Sequence, residues 1–141
     1  MIFYKVEERT KKEEEEEEER VKFKMAKEGR SLFANLPEGA FPEEIIETIS
    51  QGSSASSSTC RIERIVSRGH SSPADFWYDQ EQTEFVCVLQ GGATLEFLSE
   101  DGQVSVVEME KGSYLTIAPH HKHRVASTSE AQPCVWLAVF F

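Results

Sequence analysis

The sequence predicts an all-β domain, either a closed barrel or a sandwich, over residues 60–141. Short segments rich in β-branched and aromatic residues follow one another through this region, and no helical pattern separates them. Pairs of residues that contain glycine punctuate the segments, as they do in tight turns between strands. These pairs are Gly91-Gly92, Asp101-Gly102 and Lys111-Gly112. Several short strands with this punctuation indicate a sandwich or a barrel.

Residues 1–30 form a predicted low-complexity tail that contains ten acidic and nine basic residues. Helix propensity is high because residues 5–28 contain no Gly or Pro, but the glutamate run 13–19 places like charges one turn apart. With almost no apolar stripe to bury, the tail is expected to be a solvated helix or disordered. A solubilising role is favoured over a partner-binding one.

Residues 31–59 are predicted to hold a short helix and a linker. Pro42, followed by two glutamates, suits a helix start, and Ile45, Ile46 and Ile49 would then form one apolar face. Residues 51–59 are rich in serine and are predicted to be the linker.

Seven strands are predicted after this linker. They cover residues 61–67, 84–90, 93–99, 104–110, 114–119, 123–129 and 135–141. Two of them, 84–90 and 135–141, are apolar on both faces, whereas an antiparallel strand with one solvated face alternates more cleanly. We therefore expect a cover over the outer face, either the short helix or the second subunit of a homodimer, and we favour the homodimer.

Composition excludes several classes of function. The formal net charge of −10 argues against binding to nucleic acid or to an anionic membrane surface. The N-terminus lacks the apolar core of a signal peptide, and no apolar run has the roughly 18–20 residues of a membrane span. The three cysteines form no CxxC pair, so a cytoplasmic protein with reduced cysteines is predicted.

Two motifs lie within the predicted strands. Glu84 is followed by six residues and Gly91, and Gly112 opens a strand that ends at Pro119 and leads to His123. This pattern resembles the cupin superfamily, and most strongly its small single-domain members with a Phe-Trp-Tyr-Asp-Gln segment, here residues 76–80. The resemblance implies an all-β cupin jelly-roll barrel, with the short N-terminal helix and the charged helical or disordered tail before it.

The resemblance also implies a set of site residues. In metal-binding cupins the first motif supplies two histidines and a glutamate, and the second supplies one histidine. Glu84 and His123 match two of these positions, while Tyr78 and Gln80 stand where the other two histidines would be. The resemblance thus implies a weak site of Gln80, Glu84 and His123 for a divalent ion such as Fe, Mn, Zn or Ni. Because half of the usual ligands are replaced by poorer ones, a metal-free pocket with a hydrogen-bonded Glu84–His123 pair is slightly favoured.

The predicted function is a small-molecule-binding cupin of unassigned ligand. Its pocket is expected to be lined by Trp77, Tyr78, Gln80, Glu84 and His123, because polar groups among apolar ones are typical of ligand pockets. The alternative is a metal-dependent cupin enzyme, an oxygenase or an isomerase. A third hypothesis is an interaction module that acts through the acidic tail. The first two depend on Glu84 and His123 projecting toward one shared interior.

Overall fold

The computed structural model describes residues 10–27, 29–53 and 59–141, and it divides the chain into two compact units at Ala34/Asn35. The first unit contains the helix α1, Lys11–Lys27. Thr10 caps this helix: its hydroxyl accepts a hydrogen bond from the Glu13 amide at 3.4 Å, and its own amide donates to the Glu13 carboxylate at 2.8 Å. The Thr10 amide and hydroxyl both donate to the Glu13 carboxylate, and these two bonds lower its pKa. Within the predicted tail, Lys11–Lys27 is therefore helical.

The second unit consists of antiparallel strands. They are β1 Ile45–Ser53, β2 Thr59–Ser67, β3 Glu84–Gln90, β4 Gly92–Leu98, β5 Val104–Glu110, β6 Tyr114–Ile117, β7 His123–Thr128 and β8 Cys134–Phe140. Five strands form one sheet in the order β1-β2-β8-β3-β6, and three form a second sheet in the order β5-β4-β7. The seven predicted strands correspond to β2–β8 to within two residues at each end. The predicted all-β barrel is confirmed.

The short helix predicted around Ile45, Ile46 and Ile49 is wrong. This segment is the strand β1, in which Ile45 pairs with Val66 and Ile46 pairs with Ile65 of β2. β-Branched residues fit a pleated strand well, and the backbone pairing with β2 prevails over the local helix signals. Part of the predicted linker also belongs to the strands, because β1 reaches Ser53 and β2 starts at Thr59, whereas residues 54–58 lie outside the described residues.

The core lies between the two sheets and fixes which side chains point inward. Val86 pairs with Ala138 and Val88 with Trp136, and all four are buried. The core cluster comprises Val86, Val88, Ala93, Leu95, Phe97, Met109, Ile117, Cys134 and Trp136. Because side chains alternate along a strand, Glu84 faces the same interior as Val86.

The outer face of the five-stranded sheet carries Phe85, Leu137 and Val139, which are half-buried. The predicted helix does not cover this face, because its residues form β1 instead. The homodimer therefore stays a prediction.

Two further observations bear on the class of protein. No helix in the described ranges is long and apolar enough to cross a membrane. The three cysteines are free, and burial raises the pKa of the Cys134 thiol to about 12. Cys134 is buried, whereas Cys60 is exposed and does not pack in the core. The cytoplasmic location stays a prediction.

Candidate functional site

A cavity of about 250 Å³ lies in the barrel. Much of its wall is aliphatic or aromatic and includes Val86, Trp136 and Phe140. Seven polar or charged side chains also line it: Glu44, Arg61, Glu63, Tyr78, Gln80, Glu84 and His123. A mainly apolar cavity with a few converging polar groups is the usual make-up of a small-molecule site.

Glu84 opens β3 and places its carboxylate in this cavity. The side chain is 11% exposed, and its Oε2 accepts a hydrogen bond from Gln80 Nε2 at 3.0 Å. Gln80 lies in the loop before β3 and donates its amide hydrogen to the carboxylate. A largely buried carboxylate is costly unless such donors or an ion pair satisfy it.

His123 opens β7 and meets Glu84 from the other sheet. Its side chain is 6% exposed, and its Nε2 lies 3.6 Å from Glu84 Oε2. Its Nδ1 lies 2.8 Å from the main-chain oxygen of His121. Because a carbonyl oxygen only accepts, Nδ1 carries a proton and donates it. The ring is therefore fixed with Nε2 toward Glu84.

Tyr78 holds the other side of the His123 ring. The two residues exchange main-chain hydrogen bonds of 2.8 and 3.2 Å, and their rings stack with centroids 5.5 Å apart. Burial raises the pKa of the Tyr78 hydroxyl, and the negative charge of Glu44 raises it further. The Tyr78 hydroxyl therefore stays protonated at neutral pH.

Sequence reasoning missed the wall that β1 and β2 contribute. Arg61 Nε donates to Glu63 Oε1 at 2.6 Å, and the Arg61 guanidinium lies 4.4 Å above the Phe140 ring. Glu44, just before β1, accepts a hydrogen bond from the Ser67 hydroxyl. The available signal was the alternation of Arg61, Glu63 and Ile65 along one strand, which places three side chains on one face.

Trp136 lines the same cavity and lacks a hydrogen-bond partner. Trp136 is 3% exposed. Its Nε1 is buried and has no hydrogen-bond partner, and it is the one buried side-chain nitrogen or oxygen in the described part of the chain of which this is true. A buried donor without a partner is unusual in a folded protein and calls for an explanation.

The structure corrects the predicted place of Trp77. This residue is not among those that line the cavity. Its ring instead lies 4.7 Å below the Arg124 guanidinium, which pairs with Glu96 on the outer face of the three-stranded sheet. Of the five predicted pocket residues, the structure therefore brings four together: Tyr78, Gln80, Glu84 and His123.

The donor set at this site is a poor one for a metal ion. The described residues contain no group of three His, Cys, Asp or Glu side chains placed to hold one. Gln80 supplies an amide where metal-binding cupins have an imidazole, and an amide is the poorer ligand for a divalent ion. One imidazole and one carboxylate are a poor donor set for a resident divalent ion, and the metal-free pocket stays a prediction.

The fold and this cavity define a cupin barrel, and comparison of the chain with known protein families and structures agrees. The family model of the Cupin domain matches residues 64–140, which is more than half of the chain. The chain belongs to this family. It is 39% identical to a structure from Ralstonia eutropha JMP134 described as a candidate mannose-6-phosphate isomerase, with a TM-score of 0.68 over 80% of this chain and 96% of that one.

Two more distant structures share the fold alone. A cupin superfamily protein from Desulfitobacterium hafniense DCB-2 is 15% identical, with a TM-score of 0.61 over 82% of this chain and 92% of that one. The cupin domain of Schizosaccharomyces pombe Cnp3 is 10% identical, with a TM-score of 0.59 over 79% and 67%. No curated protein matches the chain in sequence.

Proposed function

We propose that this chain is a small-molecule-binding cupin whose ligand occupies the barrel cavity and is held by Glu84 and His123, with Gln80 and Tyr78 beside them. The observation that carries the proposal is the approach of Glu84 Oε2 and His123 Nε2 to 3.6 Å inside a cavity of about 250 Å³. Both atoms belong to largely buried side chains that come from different sheets.

The geometry of the Glu84–His123 pair supports the proposal that a ligand binds there. The 3.6 Å separation exceeds the length of a normal N–H···O hydrogen bond, so the two groups do not fully satisfy each other. Buried polar groups in folded proteins normally have partners, which include bound water and ligands. A ligand with hydrogen-bonding groups would supply them here.

The test uses ligand-observed NMR with a panel of metabolites and the full chain. Glu84→Gln and His123→Gln keep the size of the side chains while changing their charge and hydrogen bonding. We expect both variants to lose binding of the compounds that bind the native chain. Glu100→Gln, at an exposed turn outside the cavity, is the matched control and should bind normally. Unchanged binding by folded Glu84→Gln and His123→Gln variants would remove the cavity from the proposal.

A second candidate is an isomerase. It is favoured by the 39% identity to the Ralstonia eutropha structure and by the carboxylate–imidazole pair, since both groups act as general acids and bases in enzymes. The assay would follow interconversion of mannose 6-phosphate and fructose 6-phosphate, with Glu84→Gln as the inactive comparison. No conversion by the native chain, with or without added divalent metal, would exclude this activity. The predicted oxygenase has no comparable support.

We also propose that the outer face of the five-stranded sheet forms a homodimer interface. Phe85, Leu137 and Val139 give this face its apolar character, and Tyr114 on the edge strand is 70% exposed. Analytical ultracentrifugation of Leu137→Lys should show monomers where the native chain shows dimers. Val106→Lys, on the outer face of the other sheet, should leave the mass unchanged. A native monomer would refute the dimer.

A further inference from the structure

We infer that the barrel cavity binds a small organic amine in its cationic form, an inference that rests on the proposed function and names the chemical class of its ligand. It is drawn from the charges of the cavity wall, from the way this wall already holds the cation of Arg61, and from the size and apolar character of the rest of the cavity.

The charges of the wall favour a cation. Three carboxylates line the cavity, those of Glu44, Glu63 and Glu84, and among the described residues Arg61 is the one Arg or Lys side chain that does so. Arg61 pairs with Glu63 at 2.6 Å, so these two charges offset each other. The charges of Glu44 and Glu84 remain, and His123 supplies one positive charge at most. The described wall is therefore net negative in either protonation state of His123.

The two remaining carboxylates act on one place in the cavity. Burial raises the pKa of the Tyr78 hydroxyl, and the charges of Glu44 and of Glu84 both raise it further. In the described part of the chain, Glu44 accepts a hydrogen bond from the neutral Ser67 hydroxyl, which leaves its charge uncompensated. Because charges interact strongly in largely apolar surroundings, a cation near Tyr78 would be stabilised and an anion would be repelled.

Arg61 shows how this wall holds a cation. Its Nε donates to Glu63 Oε1 at 2.6 Å, and its guanidinium lies 4.4 Å above the Phe140 ring. A carboxylate together with an aromatic face is a favourable environment for a positive charge. Glu84 and the aromatic side chain of Tyr78 line the same cavity and offer this combination to a cation that the ligand supplies. An ammonium group suits it, because its three hydrogens all donate.

The rest of the cavity limits the body of the ligand. The volume of about 250 Å³ lies below the roughly 300–1,000 Å³ of drug-sized sites. Much of the remaining wall is aliphatic and includes Ile65, Val86, Leu95, Ile117 and Val125. A second charge on the ligand would be buried against these side chains at a high cost. The ligand is therefore small, with one amino group on a mostly apolar body.

The first experiment compares compounds that share a body and differ in charge, with the native full chain at neutral pH. Benzylamine, benzyl alcohol and benzoate are cationic, neutral and anionic, and the phenethyl and isoamyl series repeat the comparison. Ligand-observed NMR titration is expected to show that at least one amine binds. That amine should bind about fivefold or more tightly than its alcohol, because hydrogen bonds to charged groups are stronger than neutral ones, and the carboxylate should bind more weakly still.

The second experiment removes one charge from the wall. Glu44→Gln keeps an oxygen that can accept from the Ser67 hydroxyl, so the affinity for the amine should fall about fivefold while that for the alcohol changes less than about twofold. Glu43→Gln removes the same charge from an exposed neighbour outside the cavity and should leave both affinities unchanged. This control separates binding in the cavity from general attraction to a chain of net charge −10. The charge series needs no variant, so the inference remains testable even if Glu44→Gln folds poorly.

The outcomes separate this inference from the proposed function. The inference is overturned if an alcohol or carboxylate binds as tightly as its amine, if no amine binds, or if folded Glu44→Gln keeps the native affinity for the amine. The isomerase candidate, whose substrate is an anion, predicts the opposite order of affinities. In each of those cases the loss of metabolite binding in Glu84→Gln would still support a ligand in the cavity. If Glu84→Gln changes the binding of no compound, the proposed function fails as well.

Discussion

Two walls of the same cavity differ in how their polar groups are satisfied. On one wall, Glu84 and His123 face each other across 3.6 Å and leave hydrogen-bonding capacity open to the cavity. On the other, formed by β2, Arg61 and Glu63 bond directly at 2.6 Å. The first wall is arranged to receive a ligand, whereas the second is already satisfied and shapes the cavity.

This difference separates stability from binding. Groups that bind a ligand are left partly unsatisfied in the free protein, and this lowers the stability of the fold. Groups that satisfy each other contribute to the fold and add little to binding. Substituting matched carboxylates on the two walls should therefore have opposite consequences.

The largest effect is expected for Glu84→Gln. Ligand affinity should fall about tenfold or more, because a hydrogen bond to a charged group contributes about 1.5–3 kcal/mol. The free energy of unfolding of the free protein should not fall, since the change removes a largely buried charge. Binding is measured by NMR titration and stability by urea unfolding. A clear loss of stability would show that the Glu84 carboxylate is already satisfied by its neighbours in the free protein, as Glu63 is by Arg61.

A second prediction concerns β8, which lies between β2 and β3, and tests whether its Cys134 thiol is shielded from water. Burial raises the pKa of the Cys134 thiol from 9.0 to about 12, so folding favours the neutral thiol. This contribution is fully present below pH 9 and is lost as the pH rises toward 12. Urea unfolding across this range should show a steeper loss of stability for the native chain than for Cys134→Ala. Cys60→Ala, at an exposed position, should keep the native slope, and equal slopes in all three would mean that water reaches Cys134.

The sequence predicted the first wall far better than the second. Glu84 and His123 were found because they occupy motif positions, and the resemblance to cupins implied that both project toward the interior. Arg61 and Glu63 were missed although their strand was predicted, because alternation gives two faces and does not say which one is internal. Only the pairing of β2 with β8 decides this, and that pairing joins segments far apart in the chain.

The same limit explains the errors at β1 and at Trp77. Ile45, Ile46 and Ile49 fit one helical face, but long-range pairing with β2 makes them a strand. Trp77 and Tyr78 are neighbours in an irregular loop, where no periodicity indicates direction. Tyr78 faces the cavity and Trp77 packs on Arg124, a partner that no local pattern identifies.

A third prediction tests the satisfied wall with Glu63→Gln. This change leaves the Arg61 guanidinium, whose side chain is 34% exposed, without its anionic partner. The free energy of unfolding should fall by about 1 kcal/mol, since a partly exposed ion pair is worth little more than that. Ligand affinity should change less than twofold to threefold, in contrast with Glu84→Gln. A loss of affinity equal to that of Glu84→Gln would show that both walls bind the ligand.

The smallest effect is expected from removing metal. Because the site offers one imidazole and one carboxylate, the native chain expressed without a His tag should contain clearly less than one metal ion per chain by elemental analysis. EDTA should leave its thermal unfolding midpoint unchanged. The control is a variant that should gain metal binding, Tyr78→His combined with Gln80→His. It places imidazoles at the two positions where metal-binding cupins have them. This variant should bind a divalent ion and be destabilised by EDTA. One ion per native chain that is lost in Glu84→Gln would instead show that a carboxylate and a single imidazole suffice in this cavity.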